Sequence, residues 1–151
     1  MCWFDASGTC FEVYETGKKL ENDEVPMYTI DEIINDVETW LVTGKLNIQM
    51  LSENFEFNSP FWKKANKNDF IKQFEDPTEY KKAALSKITH FDPLIKYKDD
   101  SGKQFAIVLQ YHTRNDQHVY ETVIGTVENG LLTDMRSIYD LNETKEALEI
   151  N

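Results

Sequence analysis

His90 and Asp92 stand two residues apart in a stretch of alternating character, a spacing that puts both side chains on one side of a strand. An imidazole beside a carboxylate can take up or deliver a proton, because burial and a neighbouring charge tune both groups toward working pH. On this reading His90 is the base, Asp92 its partner, and tyrosine phenols donate hydrogen bonds to the same molecule. The competing reading is a strand-end histidine beside Asp-Pro turn chemistry, with Asp92 capping backbone amides. Pro93 could also insert a bulge that reverses which side His90 faces. Tyr111, Tyr120 and Tyr139 are amphipathic rings able to line an apolar cavity and place a few hydrogen bonds. Asn58 could orient a water or a carbonyl, or satisfy its own turn. Trp62, beside Phe61 just past Pro60, could close a cavity mouth or pack beneath the next helix.

Other chemistries lack their residues. His90, His112 and His118 form no two-histidine helical pair, and no dense carboxylate loop occurs, so no metal site is expected. Scattered glycines offer no phosphate cradle, G-x-S-x-G is missing, and no cofactor is implied. Cys2 and Cys10, the only cysteines, could join across a hairpin through Ala6-Ser7-Gly8 or remain two reduced thiols.

The elements that must hold these side chains follow from periodicity. Ile30, Ile33, Ile34, Val37, Trp40 and Leu41 repeat at helical steps. Thr29 with Glu32 makes a capping box, and Gly44 supplies the left-handed stop. Leu46–Leu51 reads as a second helix and 55–58 as a brief strand stopped by Pro60. A helix beginning near Asn66–Asp69 carries Phe70, Ile71 and Phe74, and a further turn starts at Asp76-Pro77. After Ser86 the period changes to two, and turn signals mark strands at about 87–97, 104–113, 118–128 and 131–140.

Asn129-Gly130 suits a type I′ hairpin turn and fixes a register. Ile124 is expected opposite Met135, Thr122 opposite Ser137, and Tyr120 opposite Tyr139. A two-residue Asn115-Asp116 turn would add Leu109 and Tyr111 to that face, and an even number of residues in the loop around Asp99 to Gly102 would set His90 opposite Tyr111. The opposite face then holds Val108, Gln110, His112, Glu121, Val123, Arg136 and Ile138, a mixture suited to a subunit interface. Residues 1–26 read as an extension and linker, and 27–151 as the folded domain.

The chain has 151 residues, enough for one core without staples. Its net charge of −11 disfavours nucleic acid and anionic membrane surfaces. No apolar run approaches a membrane span, and the start lacks a signal-peptide pattern, so a cytoplasmic protein is expected.

Helices followed by a curved antiparallel meander, with Leu51–Pro60 after the second helix, the Asn129-Gly130 turn and a last strand Met135–Asp140, resemble the nuclear transport factor 2-like superfamily, in particular its SnoaL-like branch. The likeness covers about 29–142. It implies an α+β fold, a cone-shaped curved antiparallel sheet packed against N-terminal helices, with a ligand cavity inside and subunit pairing outside. Functions in that superfamily range from isomerase, cyclase, dehydratase and epoxide hydrolase to carriers. The general base of ketosteroid isomerase-like members falls at Ser59, their protonated acid near Thr122 and their helix tyrosine near Val37. Asn58 matches the water-holding asparagine of limonene epoxide hydrolase-like members, but their charged relay falls near Tyr120, Thr122 and Ser137. Neither reaction carries over.

The expectation is thus a homodimer, paired through the outer sheet face, that binds a small apolar or aromatic molecule. Asn58, Trp62, Leu109, Tyr111, Tyr120, Thr122, Met135, Ser137 and Tyr139 contact the ligand, and His90 and Asp92 perform any chemistry. The alternatives are a lyase, isomerase or hydrolase acting on that ligand, and a non-catalytic interaction module using Trp3, Phe4 and the outer sheet.

Overall fold

A computed structural model describes Trp3–Phe4, Cys10–Phe11 and residues 27–76, 82–83 and 85–150. Strands β1 (Trp3–Phe4) and β2 (Cys10–Phe11) pair antiparallel, Trp3 with Phe11 and Phe4 with Cys10. Cys2 lies outside the described residues, as does most of the turn expected at Asp76–Glu79.

Helix α1 (Ile30–Thr43) has both predicted ends. The Thr29 hydroxyl accepts from the Glu32 amide at 3.1 Å, and Glu32 reaches back to the Thr29 amide. Gly44 closes the helix at φ 78° and donates to the Trp40 carbonyl. The expected second helix shrinks to a 3-10 turn, Ile48–Met50, because Asn47 caps it and also donates to buried Asp36 at 2.7 Å. This contact ties the chain to α1 and starts β3 early, so β3 spans Leu51–Asn58. Next come β4 (Ala65–Asn66) and α2 (Lys67–Glu75), capped by Asn66. The meander is β5 (Ile88–Lys98), β6 (Gln104–Thr113), β7 (His118–Glu128) and β8 (Leu131–Ile138). Helix α3 (Leu141–Ala147) was not anticipated, although Asp140 followed by Glu143 is its cap signal.

One six-stranded sheet, in the order β4-β3-β8-β7-β6-β5, carries the domain. Within it β3 and β8 run parallel. The face covered by helices holds the core: Phe105, Ile107, Leu109, Val123, Leu132 and Met135 meet Ile33, Val37 and Leu41 of α1. Phe55, Phe57 and Phe70 close one end, with ring centroids 5.1 and 4.9 Å from Phe70. Along the free edge, Lys96 and Lys98 of β5 reach Glu38 and Asp31 of α1 at 2.7 and 2.9 Å. No helix among the described residues is long and apolar enough to cross a membrane.

Three irregularities decide which face the candidate residues occupy, each moving the register by one residue, and a further bulge at Thr89 opens β5. Asn129 and Gly130 take positive φ, 52° and 74°, as the turn requires. Beyond the turn Thr133 is left unpaired, so Gly125, not Ile124, faces Met135, and Val123, not Thr122, faces Ser137. The β6–β7 loop has three residues instead of two. The Thr113 carbonyl accepts from Asp116, Asp116 turns left-handed at φ 61°, and Thr113 donates to the Gln117 carbonyl, placing Val119 opposite Tyr111. In β5 the bulge at Leu94, beside Pro93, reverses the parity of the strand's first half and puts His90 opposite His112.

Candidate functional site

A one-residue shift sends every side chain to the other face. The inner face gains Val119, Glu121 and Val123 beside Leu109, Tyr111, Met135 and Ser137. Tyr120, Thr122 and Ile124 turn outward, and Tyr120 is 60% exposed. The expected trio of inward phenols is therefore a pair, Tyr111 and Tyr139. His90 and Asp92 are exposed on the outer face, so they do not join Tyr111. Leu109, Tyr111, Met135 and Ser137 are buried where expected and Trp62 is half-buried, but Asn58 pairs with outward-facing Arg136 while its neighbour Phe57 pairs with Met135, so Asn58 lies on the outer face and does not join them. Trp62 packs on Phe57 with ring centroids 6.1 Å apart, and its amide donates to the Ser59 hydroxyl at 2.8 Å.

Glu121 is the polar group that register arithmetic assigned to the wrong face. Burial pushes its carboxyl above the ordinary carboxylate range, and a hydrogen bond with Ser137 opposes that push. Tyr111 lies in its field. Burial drives that phenol up to about 12, countered by a bond to Thr144 of α3 at 3.2 Å and reinforced by the charges of Glu121, Tyr139 and Glu143. Tyr139 is likewise pushed up by burial, held by Ser59 and the Phe61 amide, and sensitive to Glu121. Glu121, Ser137 and the two phenols thus form one electrostatic cluster on the inner face, reached by Ser59 just past the end of β3. An alternating-period reading contains Glu121, but only the bulge and the three-residue loop reveal its orientation.

The three histidines form a second cluster, outside the sheet. His90 and His112 stack at 4.1 Å and 10°, and His118 meets His112 edge-on at 4.3 Å. Among the described residues no group of histidine, cysteine or carboxylate side chains is arranged to hold a metal ion. An open cleft of about 410 Å³, lined by Ser86, Lys87, Arg114, Asn115 and Glu149, lies at the strand ends and contains none of the candidate ligand or catalytic residues.

No family model and no curated protein matches the chain. Solved structures do. An NTF2-like protein of unknown function from Cytophaga hutchinsonii aligns with TM-score 0.54 at 15% identity, covering 79% of this chain and 96% of its own. A hypothetical protein with a ketosteroid isomerase-like fold from Catenulispora acidiphila, in complex with trimethylamine, aligns at 0.53 and 13% identity, covering 80% and 94%. A de novo designed protein with a curved β-sheet reaches 0.57 at 15% identity, covering 79% and 93%. The fold is therefore nuclear transport factor 2-like. The same shape in a designed chain and in natural ones means that shape selects no reaction.

Proposed function

We propose that the inner face binds a small, largely apolar molecule bearing a hydrogen-bond acceptor such as a carbonyl oxygen. The observation that carries this reading is Glu121, a carboxyl pushed up by burial among apolar side chains and joined to Ser137 near two phenols. Burial favours the protonated, hydrogen-bond-donating form of Glu121, while Tyr111, driven to about 12, stays a phenol at neutral pH with its proton on Thr144. Leu109, Val123 and Met135, packed in the core, make the surroundings of these groups apolar. Trp62 packs on Phe57 beyond the end of β3, and Asn58, Tyr120 and Thr122 are left out because they face outward.

The test is titration of the isotope-labelled protein with 2-acetylnaphthalene, an apolar aromatic ketone. Amide shifts are expected at 109–111, 121–123 and 135–139, and Glu121→Ala weakens binding about three- to tenfold, the worth of one hydrogen bond. Shifts confined to the outer face, or an unchanged affinity in Glu121→Ala, overturn the reading.

A second reading, acid/base chemistry on that ligand, is favoured by the same carboxyl, since a carboxyl whose proton affinity is raised by burial is a stronger base toward carbon next to a carbonyl than an exposed one. It belongs to the lyase, isomerase and hydrolase classes and transfers the proton role from His90 and Asp92 to Glu121. Deuterium uptake at the ketone's methyl group in D2O, dependent on Glu121, supports it. Exchange at the buffer rate sinks the chemistry and leaves the binding.

The outer face is proposed to pair two copies of the chain. Ile95, Val108, Thr122 and Ile138 form one cross-strand row there and Tyr97, Ala106, Ile124 and Arg136 the next, with Tyr97 57% and Ile138 47% exposed.

A further inference from the structure

All three histidines of the chain occupy one row across the outer sheet face, on β5, β6 and β7. His112 is in the middle. Its Nε2 is enclosed by its neighbours and has no hydrogen-bond partner among the described residues. The Thr89 hydroxyl, at the bulge that opens β5, donates to the His112 carbonyl and sits 3.1 Å from His90 Nδ1, so the stack and the edge-strand pairing share one fastening. The next residue pair along β5 and β6 faces inward. There Phe91 lies opposite Tyr111, with ring centroids 5.8 Å apart.

We propose that this histidine row is an acid-operated latch: neutral imidazoles hold β5 against β6, and their protonation loosens the strand edge and draws Phe91 away from Tyr111. The part of the inference that concerns ligand affinity rests on the binding role of the inner face; the loosening itself does not. Two imidazolium charges about 4 Å apart oppose each other by roughly fivefold in proton affinity even at the dielectric constant of water. Separation of the stacked rings therefore relieves the repulsion that a second proton brings. The groups facing His112 are His90 and Asp92 from β5, His118 and Tyr120 from β7, and Asp116 from the loop. Asp92 and Asp116 favour the protonated ring, but burial and the two flanking imidazoles outweigh them and hold His112 below the ordinary imidazole range. β5 is the sheet's edge, so it has one neighbour to lose and a bulge at which to part from it.

Amide hydrogen exchange, corrected for intrinsic rates, tests the latch between about pH 7.5 and 5.5, where ordinary imidazoles titrate. Protection at 88–92 is expected to fall at least tenfold on acidification while protection at 122–126 holds. His112→Gln is expected to reduce that fall to under threefold, and so is His90→Gln, which disturbs only the edge strand. Equal change in both segments, or the full tenfold loss in either folded variant, overturns the proposal. Loss of 2-acetylnaphthalene affinity in parallel with protection supports the coupling to the inner face. If the ketone fails to bind even at the higher pH while 88–92 still loosens, the binding reading falls and the latch stands.

Discussion

At position 121 burial and protonation are linked, and the sign of the linkage can be worked out. Glu121 in the folded chain holds its proton to higher pH than in the unfolded chain. Its contribution to stability is therefore fully present below the ordinary carboxylate range and is lost as pH rises through its raised value. Glu121→Gln cannot ionise, so the variant's stability relative to the parent should climb across that window; urea unfolding at a series of pH values reads it, and parallel curves would refute the assignment. His112 has the opposite sign. Its folded form resists the proton, so stability is full above the ordinary imidazole range and drops as pH falls through the lowered value. His112→Gln should flatten that acid limb in the same series. Tyr111→Phe removes the bond to Thr144 and with it the tie between β6 and α3. A loss of about 0.5–1.5 kcal/mol is expected, the usual net worth of one hydrogen bond.

At the scale of elements, local signals were legible and their summation was not. Thr29, Glu32 and Gly44 marked both ends of α1, and the period-two pattern with Asn129-Gly130 placed four strands to within a residue or two at most ends. Orientation was harder. It depends on counting from the turns, and Thr133, Leu94 and the Arg114–Asp116 loop each changed the count by one. None of these has a compelling signature: Thr133 is an ordinary strand residue, and Asp116 adopts φ 61° without being glycine. The bulge at Pro93 and Leu94 was the partial exception, because proline in a strand already suggests one. Two errors of parity thus hid Glu121 and misplaced Tyr120, while Tyr111, Met135 and Ser137 were correctly assigned to the inner face. The corrected register has a mechanical consequence at Gly125, whose missing Cβ makes room for the ring of buried Phe105 and lies beside Leu132. Gly125→Ala should cost about 1–3 kcal/mol through overpacking, measurable by urea unfolding, and a neutral substitution would contradict the inward placement of Phe105.

For the whole molecule, the two sheet faces differ in what covers them. The inner face packs its apolar core against α1, and Glu121, Ser137, Tyr111 and Tyr139 are the part of it to which the ligand is assigned. Nothing in the described chain covers the outer one, and Ile95, Tyr97 and Ile138 are exposed there on the same face as the histidine row. A net charge of −11 opposes association between copies through long-range repulsion, which salt screens. An apolar central patch must then outweigh repulsion spread over the rest of the surface. If it does, sedimentation at about 100 μM in moderate salt should give twice the 17.7 kDa chain mass, and the melting temperature should rise with protein concentration. Ile138→Lys places a buried charge on each side of the pairing surface but disturbs no core contact in a single chain, because Ile138 is 47% exposed. That variant should sediment at the single-chain mass with the parent's circular dichroism and a melting temperature independent of concentration. A parent protein already at the single-chain mass would show instead that charge wins, leaving the outer face to the histidine row alone.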